Sequence, residues 1–436
     1  MDYSDKSPIN QTHTIIRLSG LMHQSTPTVP DYHSFLAWFT SENHRRSFFS
    51  KTKSQSIPHR SDRHTAIMPQ TKTKKYAYIN SLRGIAILLV VIRHVFMWIP
   101  PTSAILEAIG SIAGRGVQLF YLVSSITLCF SIANRKKKEN YPFRNFFLRR
   151  IFRIAPLFYL AIIFYYCIAP WKIEAWKVIT SFLFIHGFHP ESINGVVPGS
   201  WSIAVQMTFY LCLPLLYRFF SNPKKALIGV FVATLLSLLI SKGLYTIFLP
   251  KLTGELEIVY YEYFFYWFPA QLPIFLMGIL VFRIMESPEH NQKRWAWPTM
   301  FIACYLMVAF AKCYYIRLLP HHLLLGVAFT FLFYSLSLNP IPLLVNQVLG
   351  WIGKLSYSIY LLHFAILSFY VYHFPNGLLL QNLPSILVSL LAVLSTAILF
   401  SIITYNLIEK PGIRLGKFLI EKLESSATST LGTKEV

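Results

Sequence analysis

The sequence predicts an all-α protein, a polytopic membrane helix bundle of about ten transmembrane helices, and three observations support this. Hydrophobic residues make up 54% of the 436 residues and charged residues only 13%. The apolar residues fall in blocks of roughly 15 to 20, a length that can cross a hydrocarbon core. Lys and Arg, which give a formal net charge of +22, lie mainly in short loops between the blocks, as the orientation bias of membrane proteins explains. We therefore expect membrane lipid around the chain and no nucleic acid as a partner.

The two ends of the chain differ from its apolar middle. Residues 1–75 are polar and rich in Ser, Thr and His, without sustained periodicity, so we predict a disordered N-terminal extension. Met68 stands directly before a short basic lead into the first apolar block, which makes Met68 an alternative start that would leave the preceding residues untranslated. Residues 76–418 are the predicted membrane domain, and residues 419–436 a short polar cytoplasmic tail.

Ten apolar blocks are long enough to be transmembrane spans. They lie near 79–99, 116–133, 153–169, 201–220, 226–241, 261–282, 297–311, 323–338, 355–372 and 386–408. A further apolar stretch at 178–188 is too short to cross alone. Counting it as a span would move most later Lys and Arg to the outside, whereas ten spans with the N-terminus inside keep most of them in the cytoplasm. We therefore predict both termini in the cytoplasm and an outer re-entrant or interfacial segment at 172–200.

The five cysteines lie in or beside the apolar blocks, without a Cys-x-x-Cys pair or another ligand spacing. We predict no metal site.

The first apolar block carries two ionisable residues on one face. Arg83 and His94 are eleven positions apart, so on a helix they are offset by about 20° and separated by roughly 16 Å along the axis. Ionisable groups at membrane depth usually face a bundle interior or a wet cavity. For Arg83, a boundary charge that snorkels to the interface is an alternative. For His94, which has Arg93 beside it, a functional role is favoured over a satisfied core histidine.

Arg150 and Arg153 stand three positions apart at the entry to the third span, in the stretch "FLRRIFRIAP". This spacing is about one helical turn, so the two guanidiniums could clamp a phosphorylated ligand in bidentate fashion. Ordinary cytoplasmic charge bias explains the same residues equally well on spacing alone.

Polar residues also open the second and fourth spans. Gln118 and Ser124 lie in the second span, where small and hydroxyl residues are most often packing devices. Trp201 and Gln206 open the fourth span after a Pro-Gly turn. On the predicted topology His94, Gln118 and Gln206 all fall in the outer third of the bilayer. Three polar groups at one depth indicate a site.

The ninth span adds Tyr360 and His363 near its middle, in "LSYSIYLLHF". A histidine inside the membrane is a candidate functional residue, although a structural role is as well supported here.

At these residues the chain resembles the acyltransferase 3 family, the bacterial integral-membrane O-acyltransferases that modify O-antigen, exopolysaccharide, enterobacterial common antigen and Nod factors. The resemblance covers about residues 76 to 418. It rests on "SLRGIAILLVVIRH", "GVQLFYLVSS", "FLRRIFRIAP" and "PGSWSIAVQMTFYL", with weaker support from "LGWIGKLSYSIYLLH" and "IEKPGIRLGK".

The resemblance implies transfer of an acyl group, usually acetyl, from cytoplasmic acyl-CoA to a hydroxyl of a cell-surface carbohydrate or its lipid-linked precursor. Acetyl-CoA would be a co-substrate rather than a bound cofactor, and the chain would lie in the bacterial inner membrane. Arg150 and Arg153 would bind the anionic CoA end. His94 would act as general base on the acceptor hydroxyl or receive the acyl group transiently. Arg83 would hold the carrier or stabilise developing negative charge.

Two positions depart from the family pattern. Many members have a Glu where Gln206 stands, and an acidic residue is common where Gln118 stands. An amide can orient a partner by hydrogen bonding but cannot exchange a proton near neutral pH. We therefore expect either a slower enzyme, a branch that uses another partner, or an inactive member.

The rival functional class is a transporter of a lipid-linked sugar or an organic acid, because buried His and Arg also serve proton relays. The sequence has no visible inverted repeat and no paired Gly/Pro-broken spans, which favours the acyltransferase.

Overall fold

The structure is a computed structural model that describes residues 76–136, 138–169, 173–287, 292–312, 320–374 and 383–432. The predicted N-terminal extension at 1–75, with its alternative start Met68, lies outside the described residues.

Within the described residues the chain is helical and contains no strand. The α-helices are α1 Ala77–Trp98, α2 Ala104–Ala113, α3 Gly116–Arg135, α4 Pro142–Ile168, α5 Ala175–Phe182, α6 Trp201–Phe219, α7 Pro223–Phe248, α8 Glu255–Tyr266, α9 Phe268–Glu286, α10 Ala296–Lys312, α11 His321–Leu338, α12 Gln347–His373, α13 Leu383–Thr404 and α14 Lys410–Gly432. A π-helical turn, Tyr405–Glu409, joins α13 to α14.

Ten helical segments of this part of the chain are long and apolar enough to cross a membrane, which confirms the predicted fold class. Each of them overlaps one predicted span. Four of the segments extend beyond a single helix, namely Ala104–Arg135, Leu256–Glu286, Lys293–Ala311 and Leu383–Ser426.

The predicted non-spanning segment folds as a compact cap before α6. Its helix α5 has eight residues, far fewer than the roughly 20 that a spanning helix needs. The buried ring of His186 donates from Nε2 to the carbonyl of Ser200 at 3.1 Å, and the hydroxyl of Ser192 donates to the carbonyl of His186 at 2.8 Å. Burial lowers the pKa of His186 to about 4, although the Ser200 hydrogen bond opposes that shift.

Helices α1 and α12 approach so closely that their backbones touch. A Cβ atom at Gly353 would overlap the carbonyl oxygen of Asn80, and one at Gly84 would overlap that of Leu349. Glycine removes the side chain that would separate the two helices. The face of α1 that carries Arg83 and His94 is therefore held beside α12.

The C-terminal part of the described chain is a helix docked on α4. Gly412 and Gly416 leave room for Phe152. The carboxylate of Glu424 accepts hydrogen bonds from the backbone N–H of Asn140 at 2.8 Å and from the side chain of Asn145 at 2.7 Å. Residues 419–432 of the predicted tail thus continue α14, and their orientation relative to the membrane stays a prediction.

Candidate active site

Three guanidiniums from α1 and α4 lie within electrostatic range of one another. Arg83 on α1 interacts electrostatically with Arg150 and Arg153 on α4, and we call these three residues the arginine cluster. The Nη2 atom of Arg83 donates to the hydroxyl of Thr127 on α3 at 3.2 Å. Three positive charges that are near one another suit a polyanion.

A buried carboxylate lies inside the arginine cluster. Glu409 is 1% exposed and ends the π-helical turn. Its Oε1 lies 3.8 Å from Nε of Arg153, and the hydroxyl of Ser358 donates to its Oε2 at 3.1 Å. Glu409 is not among the site residues that the sequence predicts. The signal was present, because "IEKPG" places an acid at the end of the last apolar block, where an ionisable residue is a functional candidate.

Two tyrosines complete this end of the site. Tyr210 on α6 interacts electrostatically with Arg83 and Arg150. Tyr357 on α12 interacts with Glu409, and its hydroxyl donates to the backbone carbonyl of Ile154 at 2.8 Å. The arginine cluster is therefore enclosed by side chains from α6 and α12.

Two histidines meet further along the bundle. Nε2 of His363 on α12 lies 3.2 Å from Nδ1 of His94 on α1, and the ring centroids are 5.0 Å apart. We call them the histidine pair. Among the described residues, no group of three His, Cys, Asp or Glu side chains could hold a metal ion.

The neighbouring backbone carbonyls assign the tautomers of the histidine pair. Nδ1 of His363 lies 2.6 Å from the carbonyl of Tyr360, and Nδ1 of His94 lies 2.8 Å from the carbonyl of Val90. A carbonyl only accepts, so both Nδ1 atoms carry hydrogen. The lone pair of His363 Nε2 then accepts from His94, and the unprotonated nitrogen of His94 is Nε2. A histidine in this state can act as a general base.

The turn before α6 supports the histidine pair through Tyr360. The Tyr360 hydroxyl donates to the carbonyl of Gly199 at 2.8 Å and accepts from the hydroxyl of Ser202 at 2.7 Å. Gly199 has a φ of 75°, and a Cβ there would lie 2.8 Å from the ring of Phe364. Glycine is needed at this position for both its backbone conformation and its contact.

The arginine cluster, on α1 and α4, and the histidine pair, on α1 and α12, lie at two levels of the bundle, and three helices, α1, α6 and α12, extend past both levels. Arg83 and His94 are separated by roughly 16 Å along α1, from the helical rise. Each of these three helices contributes a residue to both levels. The pairs are Arg83 and His94 on α1, Tyr210 and Ser202 on α6, and Tyr357 and His363 on α12.

Gln206 lies between these two levels. On α6 it is four residues from Ser202 and four from Tyr210, so the three side chains share one stripe of the helix. Its Nε2 atom is buried and donates no hydrogen bond to any described residue. A buried amide N–H is therefore available between the arginine cluster and the histidine pair.

The remaining polar candidates have other neighbours. Nε2 of Gln118 donates to Oε1 of Gln271 at 3.0 Å, and Nε2 of Gln271 donates to the carbonyl of Phe265 at 2.7 Å. Gln118 is thus part of a buried amide pair between α3 and α9. The backbone carbonyl of Ser124 accepts from Thr127 at 3.1 Å, which is the residue that holds Arg83.

Trp201 lies at the start of α6 and is 8% exposed. Its ring stacks on Tyr266 at a centroid distance of 4.4 Å and meets the edge of Tyr121 at 6.1 Å. The Tyr121 hydroxyl donates to the backbone carbonyl of Ser202 at 3.2 Å. Trp201 therefore packs near Ser202, at the level of the bundle where the histidine pair lies, and is not part of that pair.

Comparisons with known proteins give a family match and a distant relative. A family model described as an acyltransferase domain matches residues 76–405. The chain is 25% identical over 296 residues to a protein of Acidianus two-tailed virus named "Putative acetyltransferase ORF330", and the match covers 65% of this chain and 81% of the viral protein. No solved structure matches the chain.

Proposed function

Because the chain belongs to the acyltransferase 3 family and is thus a membrane acyltransferase, we propose that it transfers an acyl group, foremost acetyl, from acyl-CoA to a carbohydrate hydroxyl. The observation that carries this proposal is that α1 connects the arginine cluster with the histidine pair, because Arg83 interacts with Arg150 and Arg153 at one level and His94 contacts His363 at the other. The family favours this reading over the transporter alternative.

The arginine cluster is the proposed site for the phosphates of acyl-CoA. Arg83, Arg150 and Arg153 supply three positive charges, and the carboxylate of Glu409 lies 3.8 Å from Arg153. Planar guanidiniums suit phosphate oxygens, and charge-assisted hydrogen bonds are the strong ones. From this point the pantetheine arm of the donor would extend along the stripe that contains Gln206, which brings the thioester toward His94.

His94 is the proposed general base. Its Nε2 takes the proton of the acceptor hydroxyl while that oxygen attacks the carbonyl carbon of the thioester. The carbon–sulfur bond then breaks, and the departing CoA sulfur takes the proton from His94, so atoms and charge balance. The N–H of Gln206 would donate to the carbonyl oxygen as negative charge develops there.

The acceptor is a cell-surface carbohydrate or its lipid-linked precursor, by analogy with the family. We place the chain in a bacterial inner membrane with both termini in the cytoplasm and the segment 173–200 outside, on the charge distribution of the loops. In a variant without the native cysteines, Glu191→Cys should react with an impermeant thiol reagent from outside, and Ser221→Cys should not. The reverse pattern would overturn this orientation.

The experiment that tests the function offers radiolabelled acetyl-CoA to the purified protein in liposomes that contain lipid-linked glycans. We expect label in the glycan fraction and release of free CoA. Acid quenching during turnover distinguishes direct transfer to the acceptor from transfer through an acylated protein. Label bound to the protein would mean that His94 receives the acyl group first. Glycans without label, together with transport of intact substrate across the liposome membrane, would contradict the proposal.

A further inference from the structure

The turn of residues 198–200, which we call the Gly199 turn, touches α12 at two residues, one on each side of His363 in the sequence. The hydroxyl of Tyr360 donates to the carbonyl of Gly199 at 2.8 Å. The ring of Phe364 lies so close that a Cβ atom at Gly199 would be 2.8 Å from it. Tyr360 and Phe364 are four positions apart on α12, so they share one face of that helix.

Phe364 packs against both rings of the histidine pair. Its ring centroid lies 4.4 Å from that of His94 and 4.3 Å from that of His363. The two imidazole centroids are 5.0 Å apart, so the three rings form one compact cluster. Because packed side chains leave little free space, a rotation of either imidazole has to displace the phenyl ring. Phe364 therefore restricts the orientation of His94.

Tyr360 holds the other member of the pair. Its backbone carbonyl accepts from Nδ1 of His363 at 2.6 Å, which leaves Nε2 of His363 as the acceptor for His94. Its hydroxyl accepts from the hydroxyl of Ser202 at 2.7 Å. The side chains of Tyr360 and Ser202 are both buried, so loss of one partner leaves a polar group unpaired away from water.

The Gly199 turn is in turn held by the cap before α6. The hydroxyl of Ser200 donates to the carbonyl of Ile193 at 3.1 Å. The backbone N–H of Trp201 donates to Oδ1 of Asn194 at 3.2 Å. The hydrogen bonds of the cap therefore continue through the Gly199 turn to the residues that contact the histidine pair.

We propose that Tyr360 and Phe364 are positioning residues for His94, through which the Gly199 turn fixes the histidine pair. This inference rests on the proposed function, because it assigns how the general base is held. Tyr360 orients His363, which accepts from His94, and Phe364 restricts the ring of His94 directly. The proposed transfer step passes through neither side chain. Their loss should therefore lower kcat and leave the affinity for acetyl-CoA unchanged.

The test combines transfer kinetics with NMR of the full-length protein in phosphatidylcholine nanodiscs. Isotope labelling of the histidine ring nitrogens reports the tautomer and hydrogen bonds of His94 and His363 without any turnover. Tyr360→Phe removes the hydroxyl and keeps the ring, and we expect kcat to fall about tenfold, the order of one lost hydrogen bond. The ring-nitrogen signals of the histidine pair should shift in this variant. Ser202→Ala should have a smaller effect, because Tyr360 can still donate to the Gly199 turn.

The double variant tests whether these hydroxyls act through one path. Tyr360→Phe with Ser202→Ala should be no slower than Tyr360→Phe alone, because both substitutions remove the same hydrogen bond. Phe364→Leu should lower kcat by a similar factor and shift the signals of the histidine pair. The matched controls are Tyr305→Phe and Phe301→Leu on α10, where these side chains are 63% and 72% exposed.

Three results would overturn the inference. The first is wild-type kcat and unchanged ring-nitrogen signals in both Tyr360→Phe and Phe364→Leu. The second is a loss of acetyl-CoA affinity that parallels the loss of kcat, which would mean general disruption of the site. The third is an additive effect of Tyr360→Phe and Ser202→Ala, which would contradict their shared path.

The two proposals fail separately in this design. Shifted histidine signals in Tyr360→Phe, in a protein that transfers no acetyl group, would contradict the proposed function and retain the role of Tyr360 toward the histidine pair. Acetyl transfer that neither Tyr360→Phe nor Phe364→Leu slows would retain the function and contradict the positioning role.

Discussion

Nε2 of His363 lies 3.2 Å from Nδ1 of His94, so the histidine of the first span is held by a histidine 269 positions away in the sequence. Each ring also bonds a carbonyl of its own helix. The neutral His363 therefore orients His94 and can stabilise the imidazolium that forms when Nε2 takes a proton. In this tautomer the unprotonated Nε2 of His94 points away from His363.

If His363 positions His94, its replacement should lower kcat and leave the affinity for acetyl-CoA unchanged. We expect His363→Leu to slow transfer roughly 10²-fold, the order of effect that misplacement of a catalytic group produces. His363→Gln should recover part of the rate, because the amide oxygen can accept from Nδ1 of His94. Steady-state kinetics against acetyl-CoA and a full pH profile measure both effects. Wild-type kcat in His363→Leu would remove the positioning role.

The arginine cluster and its carboxylate should respond oppositely to charge removal. Arg153→Ala should weaken acetyl-CoA binding by about 1.5 to 3 kcal/mol, the contribution of a charge-assisted hydrogen bond. Glu409→Gln removes the negative charge that competes with the phosphates of the donor and keeps a partner for Ser358, so binding should not weaken. Isothermal titration with acetyl-CoA gives both constants, with the exposed Arg218→Ala as control. Equal weakening by both variants would mean that Glu409 serves to hold Arg153.

Gln206 tests the departure from the family pattern. Because its buried Nε2 is the donor available between the two levels of the site, a carboxylate at this position lacks the N–H that the proposed mechanism uses. We therefore expect Gln206→Glu to lower the rate at saturating acetyl-CoA, although many family members carry Glu there. A rate that is preserved or raised would show that the carboxylate role of the family also operates in this chain.

Local periodicity predicted the elements of the site better than its contacts. The spacing of Arg83 and His94 depends only on the geometry of α1, and the spacing of Arg150 and Arg153 only on that of α4, so both could be read from the sequence. The contact of His94 with His363 depends on the close approach of α1 and α12 at Gly84, which no local pattern encodes.

Predicted depth in the membrane indicates which residues contact one another less well than spacing along a helix does. The predicted topology groups Gln118 with His94 and Gln206 because it places all three at one depth in the bilayer. Depth in the bilayer does not determine which face of a helix a residue occupies. Gln118 faces α9, where its side chain donates a hydrogen bond to Gln271. Glu409 is not predicted as a site residue because its partner Arg153 is distant in the chain, although the sequence shows an acid at the end of an apolar block.

The cap before α6 should lose stability in mild acid. The pKa of His186 is about 4 in the folded protein because the ring is buried, below the usual 6.5 of an unfolded histidine. Between these values the unfolded state binds the proton and the folded state does not, so stability falls as pH decreases from 6.5 to 4. Hydrogen exchange of residues 173–200, corrected for intrinsic rates, should show increasing exchange in this window. His186→Gln should remove the dependence, and an identical dependence in that variant would contradict this cause.

The central claim is that one continuous site binds the donor at the arginine cluster and performs transfer at His94. It is tested most directly by measuring acetyl-CoA affinity and the single-turnover transfer rate of His94→Ala in the same preparation, with the exposed His373→Ala as matched control. We expect His94→Ala to lose transfer about 10²- to 10⁴-fold, the usual contribution of general-base catalysis, with acetyl-CoA affinity unchanged. Full transfer in His94→Ala, or loss of acetyl-CoA binding together with transfer, would contradict it.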